Sequence, residues 1–316
     1  MGMQIPSRQH ITTQVVRSLV IKMDLIIRAF TTIALVRVSL ILAINYYLSM
    51  DILSLILSFI FGTIVGSFLN VVAIRFNTGV GIGGRSGCMS CGKTLTWKEL
   101  VPILSFIFQK GACKKCKSKI SWQYPLVEFI SGAVFVLIFF AYPPLSYVSG
   151  ITTLIYILAT CLLVTISVYD IKHKIIPDNF AYTFIALAFV SMFVGGSALF
   201  HVPSYSALLA GPIVALPFAL LWLVSKGTWM GFGDAKLTLG IGWLVGLNGG
   251  VNAVILAFWI AAVVSVVWLF YTYKKFKPKT EIPFGPYLIL GMYLVLLFHV
   301  QVLDLNVLKE LMDAYL

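Results

Sequence analysis

Apolar and polar residues alternate along this chain in long blocks. The apolar blocks lie at about residues 51–73, 125–142, 150–170, 179–199, 206–225, 235–248, 250–272 and 285–303. A helix of roughly 20 apolar residues crosses the ~30 Å hydrocarbon layer of a membrane. The blocks are continuously apolar and lack the alternation of barrel strands, so helices are the spanning elements that fit them. The pattern predicts an all-α polytopic membrane protein with about eight transmembrane helices.

The composition excludes a soluble domain. Hydrophobic residues make up 60% of the chain and charged residues 11%, whereas an average protein has roughly 25% charged residues. The chain nevertheless carries a net charge of +12. We attribute this charge to membrane topology, and we expect no nucleic-acid partner.

The positions of the basic residues predict the orientation in the membrane. If residues 75–123 are cytoplasmic, the loops alternate, and Lys and Arg concentrate in the loops on that side. The short loops on the other side, 143–149, 200–205 and 247–250, contain no Lys or Arg. Basic loops stay on the cytoplasmic side of a membrane, so this asymmetry places residues 75–123 in the cytoplasm.

The same pattern divides the chain into five segments. Residues 1–49 form an N-terminal extension, which is either an extra helix or sequence upstream of a mis-assigned start. Residues 50–74 form the first core transmembrane helix, and residues 75–124 form a small cytoplasmic domain that contains four cysteines. Residues 125–303 form the transmembrane core, and residues 304–316 form a C-terminal tail.

Four of the five cysteines form two C-x-x-C pairs, Cys88 with Cys91 and Cys113 with Cys116. Two such pairs supply the four thiolates of a tetrahedral structural zinc site, and the surrounding lysines favour the thiolate form. Two disulfides or uncoordinated thiols are the alternatives, although a reducing cytoplasm disfavours disulfides. The pattern predicts a zinc-ribbon-like domain with a structural metal. Cys161 lies within an apolar block and is expected to be a core residue.

Carboxylates are rare in the membrane core and therefore stand out. Between residues 125 and 275 they are Glu128, Asp170, Asp178 and Asp234, and acids in or beside membrane helices are functional candidates. Asp170, Asp178 and Asp234 all fall on the predicted cytoplasmic side. Asp178 follows Pro177 and opens a helix, so it is either a helix cap or part of a site.

Asp170 and Asp234 are suited to aspartyl peptide hydrolysis if they converge. One ionised acid takes a proton from water while its neutral partner donates to the carbonyl oxygen, and repulsion keeps such a pair singly protonated. Gly231 and Gly233 would allow a substrate backbone to approach Asp234. The alternative is that both aspartates end helices and bond lysines such as Lys172 and Lys236.

Six motifs in one order give the chain its resemblance to a known family. It resembles the type IV prepilin leader peptidases, which are membrane aspartyl peptidases of the G-x-G-D type. The motifs are "GTIVGSFLNVVAIR" (62–75), "SGCMSCGKTL" (86–95), "KGACKKCKSKISWQYPLVE" (110–128), "DIKHKIIPD" (170–178), "GFGDAKL" (231–237) and "IPFGPYL" (282–288).

The resemblance implies that Asp170 and Asp234 are the catalytic pair. Residues with supporting or substrate-binding roles are then Gly231, Gly233, Lys236, Asp178 and Glu128. It further implies a multi-pass protein of the bacterial inner membrane that removes the basic leader of type IV prepilins and type II secretion pseudopilins at the cytoplasmic face. Its partners would be these substrates and membrane lipids.

The resemblance also implies a second activity, since relatives with both C-x-x-C pairs often methylate the new N-terminus with S-adenosylmethionine. That activity is associated with the cytoplasmic segment held by the cysteines. No G-x-G-x-x-G follows a predicted strand, so the methyl-transfer activity rests on the resemblance alone. A peptidase without methylation is therefore also possible.

A proton- or metal-coupled transporter is the rival hypothesis from another class. Asp170 and Asp234 would then relay protons, and the cysteine domain would sense zinc. Such relays usually place acids near the middle of the membrane. The predicted position of these acids at helix ends therefore favours the peptidase.

Overall fold

The computed structural model describes residues 52–79, 81, 83–194, 200–272, 282–305 and 307. The helices are α1 (Ile52–Arg75), α2 (Leu104–Phe108), α3 (Gln123–Ala141), α4 (Tyr147–His173), α5 (Asp178–Ser191), α6 (Tyr205–Ser225), α7 (Phe232–Thr272) and α8 (Gly285–Phe298). One 3-10 turn covers Trp97–Glu99. Within these residues the only β pairing consists of two isolated bridges. The predicted N-terminal extension lies outside the described residues, as does most of the predicted tail.

Five of these helices are long and apolar enough to cross a membrane. They are α1, α3, α4, α6 and α7, whereas α5 and α8 have 14 residues each. The class predicted from the apolar blocks, a multi-pass helical membrane protein, is therefore confirmed. The count differs from the expected eight, because the two blocks from 235 to 272 lie in one continuous element and two predicted helices are shorter than a full span.

α7 contains the one backbone break that decides this count. Gly246 has φ 76° and ψ 175°, outside the helical region, so two helices meet there. The predicted boundary at 248–250 lies two to four residues away. A side chain is rarely tolerated at this φ, which accounts for a glycine at the break.

The five helices from α4 to α8 enclose the core, and each of them contributes side chains that are fully or almost fully buried. These include Leu163, Phe184, Phe218, Leu237 and Leu288. Membrane helices gain little from burying apolar groups away from lipid, so close packing has to hold them together. Gly242 allows α7 to pack closely on α6, since a Cβ at this position would lie 2.7 Å from the carbonyl oxygen of Ala210 in α6.

α1 packs against α3 in the same manner. A Cβ at Gly62 would lie 2.8 Å from the Cα of Gly132. A Cβ at Gly66 would lie 2.7 Å from the hydroxyl of Ser131. Small residues one turn apart therefore set the distance between these two helices.

Several helix ends meet at one end of the bundle, which we call the Asp170 end. The ring of Phe76, just after α1, lies 5.6 Å from Tyr169 in α4 and 4.7 Å from Phe180 in α5. The first turns of α7 and α8 join the same region through contacts described below. The polar and acidic residues of the "DIKHKIIPD" and "GFGDAKL" motifs thus converge.

Candidate active site and metal centre

Asp170 lies in the last turn of α4 and faces the beginning of α8. Its side chain is buried, and its Oδ2 accepts a hydrogen bond of 3.2 Å from the backbone N–H of Gly285. The first N–H groups of a helix have no partner inside the helix, and the positive end of the helix dipole attracts an anion. The start of α8 therefore both holds the Asp170 carboxylate and supplies a complementary charge.

Gly285 is a site residue that the sequence reasoning missed. A Cβ at this position would lie 2.7 Å from Oδ2 of Asp170, so a side chain cannot be added without displacing one of them. The only sequence signal was the Gly-Pro pair in "IPFGPYL", which marks a helix start. Nothing in that motif indicated a partner 115 residues away.

Asp234 lies in the first turn of α7 and is also buried. Ile176 lies beside both acids, since a Cβ on Gly285, which bonds Asp170, and a Cβ on Gly233, which precedes Asp234, would lie 3.4 Å and 2.8 Å from it. Among the described residues, no lysine or arginine forms an ion pair with either acid. The structure therefore brings the two acids together and gives no support to the alternative in which Lys172 and Lys236 bond them.

The two glycines before Asp234 have different surroundings. A Cβ at Gly233 would lie 2.8 Å from Cβ of Ile176, in the loop after α4. A Cβ at Gly231 would meet only a backbone nitrogen, at 3.9 Å. Packing against Ile176 is thus sufficient reason for glycine at 233, whereas Gly231 borders open space. The approach of a substrate backbone remains a prediction for both.

Lys236 pairs with Asp178 and not with the two buried acids. Its Nζ lies 2.6 Å from Oδ1 of Asp178 and 4.7 Å from the centre of the Tyr182 ring. The N-cap of α5 is Pro177, with Asp178 as the first helical residue, so Asp178 does not act as the cap. The pair instead ties the start of α5 to the start of α7, beside Asp234.

Replacing Asp178 by asparagine should have a small effect. The Asp178 side chain is 62% exposed, and exposed ion pairs contribute about 1 kcal/mol or less. We expect the free energy of unfolding to fall by no more than this and substrate cleavage to persist. Thermal unfolding and a cleavage assay on the same preparation test both. Complete loss of cleavage would give Asp178 a direct part in catalysis.

Glu128 lies on α3 and faces the cysteine domain. Its carboxylate is buried, and Oε2 accepts a 2.7 Å hydrogen bond from the backbone N–H of Ile103, the N-cap of α2. No described hydrogen bond links it to Asp170 or Asp234. The hydrogen bonds described for Glu128 thus connect it to the cysteine domain and to none of the other predicted supporting residues.

The four cysteines of the two C-x-x-C pairs form one cluster. Their sulfur atoms all lie within 4.8 Å of one another, and those of Cys88 and Cys116 are 3.7 Å apart. Zinc–sulfur bonds of about 2.3 Å in a tetrahedron place the sulfurs about 3.8 Å apart. All four are free thiols, so the donor set and its spacing suit a zinc ion. Cys161 lies apart, beside the apolar cluster of α1, α3 and α4, as expected.

Two similar turns carry these thiols. In the first, Cys88 N–H bonds the Lys93 carbonyl and Gly92 N–H bonds the Cys88 carbonyl, both at 2.9 Å. The second repeats the pattern at Cys113, with Ser118 and Lys117 as its partners, again at 2.9 Å. Such paired turns present two cysteines each toward a common point.

The surroundings of the thiols favour a bound cation. Backbone hydrogen bonds from Cys91 and Ser90 lower the pKa of Cys88 to about 6, and hydrogen bonds with Ser118 lower the pKa of Cys116. A backbone hydrogen bond with Lys93 also favours the Cys91 thiolate, but burial and the neighbouring thiols raise its pKa to about 11. A divalent cation relieves this competition, because metal binding deprotonates the remaining thiol.

Two family models match adjacent parts of the chain. The Bacterial Peptidase A24 N-terminal domain matches residues 60–142, which include the cysteine cluster and Glu128. The Type IV leader peptidase family matches residues 156–266, which include Asp170 and Asp234. The two models thus cover both clusters described above.

Curated proteins are similar over most of their length. The Prepilin leader peptidase/N-methyltransferase of Bacillus subtilis is 29% identical over 244 residues, covering 76% of this chain and 92% of that protein. The Type 4 prepilin-like proteins leader peptide-processing enzyme of Escherichia coli O78:H11 is 29% identical over 258 residues, covering 75% and 91%. The Prepilin leader peptidase/N-methyltransferase of Vibrio cholerae is 27% identical over 268 residues, covering 78% and 97%. No solved structure gives a significant match. Together, the two adjacent family matches and these similarities over about three quarters of the chain show that the chain belongs to the type IV leader peptidase family.

Proposed function

We propose that this protein is a membrane-embedded aspartyl endopeptidase that removes the leader peptide of type IV prepilins and type II secretion pseudopilins. It acts at the cytoplasmic face of the bacterial inner membrane. The observation that carries this proposal is the pair of buried carboxylates, Asp170 and Asp234, at the meeting point of α4, α7 and α8. The names of the relatives supply the substrate class.

The hydrogen bonds suggest a different role for each acid. Asp170 accepts an N–H at a helix start, an arrangement that suits an anion. No hydrogen bond to the Asp234 carboxylate is found among the described residues. In our mechanism Asp170 takes a proton from water, the resulting hydroxide attacks the scissile carbonyl carbon, and Asp234 donates its proton to the carbonyl oxygen. The carbon–nitrogen bond then breaks as Asp170 passes its proton to the leaving nitrogen, and Asp234 takes its proton back as the carbonyl re-forms.

The position of the acids argues against the transporter hypothesis. Asp170 occupies the last turn of α4 and Asp234 the first turn of α7. Proton relays usually lie near the middle of the membrane, whereas helix ends lie where a membrane-anchored substrate meets water.

The length of α7 supports a larger number of spans than five. A straight helix of its 41 residues would be about 60 Å long, twice the ~30 Å hydrocarbon layer. The break at Gly246 allows the two halves to cross separately. With α5 and α8 as short spans, the membrane core then has eight crossings.

A second activity accompanies cleavage in our proposal. Two of the relatives are named as N-methyltransferases as well as leader peptidases. We assign the methylation of the new N-terminus, with S-adenosylmethionine as donor, to the region around the cysteine cluster. Zinc bound by Cys88, Cys91, Cys113 and Cys116 would hold this region folded, since four protein ligands leave no open position for a substrate.

Co-expression with a prepilin tests the function directly. The mass of the recovered pilin should show loss of the leader and a further methyl group, and the two changes are separable in one spectrum. An unchanged precursor beside a folded, membrane-inserted protein would contradict the peptidase proposal.

Purified protein should contain about one zinc per chain, because the cluster offers four thiolate ligands. Replacing the buried Cys113 by serine should remove most of it, while the same change at Cys161 should leave it in place. Metal analysis of the three preparations decides the matter. We expect loss of zinc to impair methylation more than cleavage, since both aspartates lie on membrane helices. Equal zinc content in the Cys113 and Cys161 variants would exclude the cluster as the binding site.

A further inference from the structure

A cavity of about 380 Å³ lies between the cysteine domain and the membrane helices α1 and α3. Pockets for drug-sized ligands span roughly 300–1,000 Å³, so this cavity has the capacity for one. Its wall includes Val71 of α1, Phe106 and Gln109 around α2, and Tyr124 and Glu128 of α3. The cavity is distinct from the Asp170 and Asp234 site, since neither acid lines it.

The charge in this cavity points to the class of its ligand. Two acids line it together with the basic Arg75 and Lys119. Glu99 is paired with Lys93 at 2.7 Å, so the charge argument concerns Glu128 alone. Glu128 has hydrogen bonds from the Ile103 backbone and from Ser67, but no ion pair within the described part of the chain. A buried carboxylate without a cation is costly. A cationic ligand would compensate it.

Aromatic side chains offer a surface for a planar group. Phe106 and Tyr124 both line the cavity, and Phe106 packs against Trp122 with ring centres 4.8 Å apart. Stacking on such rings is a common way to bind a flat heterocycle. A second cavity, of about 230 Å³, lies near the start of α4, beside Thr152 and Trp243. Its wall contains no acid.

We propose that the larger cavity is the methyl-transfer site, in which S-adenosylmethionine binds and Glu128 contacts the α-amine of the cleaved substrate. The proposal rests on the methylation activity proposed above and gives that activity a location. The donor has a planar base for the aromatic wall, and the amine is the cation for which Glu128 lacks a protein partner.

The chemistry assigns Glu128 to the amine and not to the sulfonium. The substrate ammonium first gives a proton to the Glu128 carboxylate. The nitrogen lone pair then forms a bond to the methyl carbon while the carbon–sulfur bond breaks, and its electron pair stays on sulfur, giving a neutral thioether. Taking up the proton frees the nitrogen lone pair for this attack, so Glu128 acts as the general base of the transfer, a role that requires contact with the amine.

Filling the cavity tests the donor site. Val71→Trp places a large ring in the cavity, and the matched change Phe68→Trp lies less than one turn away on the exposed face of α1. Equilibrium dialysis of the full-length protein in nanodiscs with labelled S-adenosylhomocysteine should show at least tenfold weaker binding for Val71→Trp. Phe68→Trp should bind like the wild type. Prepilin cleavage by each variant shows that it is folded.

Glu128→Gln tests the amine contact separately, because glutamine can still accept the hydrogen bond from Ile103. General-base catalysis typically contributes roughly 10²–10⁴-fold, so we expect methylation to slow at least 100-fold. Binding of S-adenosylhomocysteine should stay within threefold, since the donor does not use this carboxylate. Normal methylation by Glu128→Gln would overturn its role.

The results also separate this proposal from the proposed function. If the wild type leaves the prepilin uncleaved, the peptidase assignment fails. If the wild type cleaves and methylates but Val71→Trp binds S-adenosylhomocysteine normally, the cavity is not the donor site. Absence of S-adenosylhomocysteine binding by the wild type would overturn the cavity proposal as well.

Discussion

Replacing either Asp170 or Asp234 by asparagine is expected to lower the rate of prepilin cleavage by roughly 10²–10⁴-fold or more. An amide can neither take the proton from water nor supply one to the carbonyl oxygen. The fold should survive, because the asparagine oxygen at 170 can still accept the N–H of Gly285. The measurement is cleavage by purified variants, with helix content and zinc content as checks on folding.

The double variant gives a sharper test of the pairing. If the acids act as one unit, removing both should slow cleavage no further than removing one, because residues of a catalytic unit are non-additive. Asp178→Asn is the matched control. It removes a carboxylate from the same end of the bundle, but this carboxylate is largely exposed and paired with Lys236. Near-normal prepilin cleavage by either single variant would contradict the assignment of Asp170 and Asp234 as the catalytic pair.

The sequence was informative where side chains themselves carry the chemistry. Asp170, Asp234 and the four clustered cysteines are rare residue types in this composition, so their positions alone made them candidates. The structure brings each set together. Apolar blocks likewise predicted the helical membrane class, because continuous hydrophobicity requires helices in lipid.

Contacts made by backbone atoms could not be predicted in this way. The bond from Gly285 to Asp170 and the packing of Gly233 on Ile176 join distant segments through an N–H group and through the absence of a side chain. Neither contact leaves a hydrophobic periodicity or a charged residue in the sequence from which it could be predicted. The break in α7 is similar, since Gly246 differs from the helix's other glycines in its backbone angles and in nothing that the sequence displays.

Asp178 shows the same limit for a charged residue. An acid at a helix start is usually interpreted as a cap, and its pairing with Lys236 depends on the approach of α5 to α7. Only the tertiary packing determines with which of the neighbouring acids Lys236 forms an ion pair. That choice leaves Asp170 and Asp234 without an ion-pair partner among the described residues, which is the condition their proposed chemistry needs.

Replacing Gly285 by alanine should cost roughly 100-fold in the rate of cleavage, although no titratable group is changed. The added methyl group would lie 2.7 Å from Oδ2 of Asp170, so the carboxylate has to move away from the start of α8. A displacement of about 1 Å at a reacting group can reduce a rate by roughly 10²-fold. The loss should appear in kcat with little change in KM, because substrate binding does not depend on the contact.

A matched alanine substitution distinguishes this effect from a general effect of removing glycine. Gly150 also lies in the first turn of a helix, α4, and a Cβ there would meet only Pro144, at 3.8 Å. Gly150→Ala should therefore cleave normally and be as stable as the wild type or slightly more stable. If Gly285→Ala also cleaves at the wild-type rate, the N–H of Gly285 does not position Asp170. The acid would then have to be held by the packing of α4 alone.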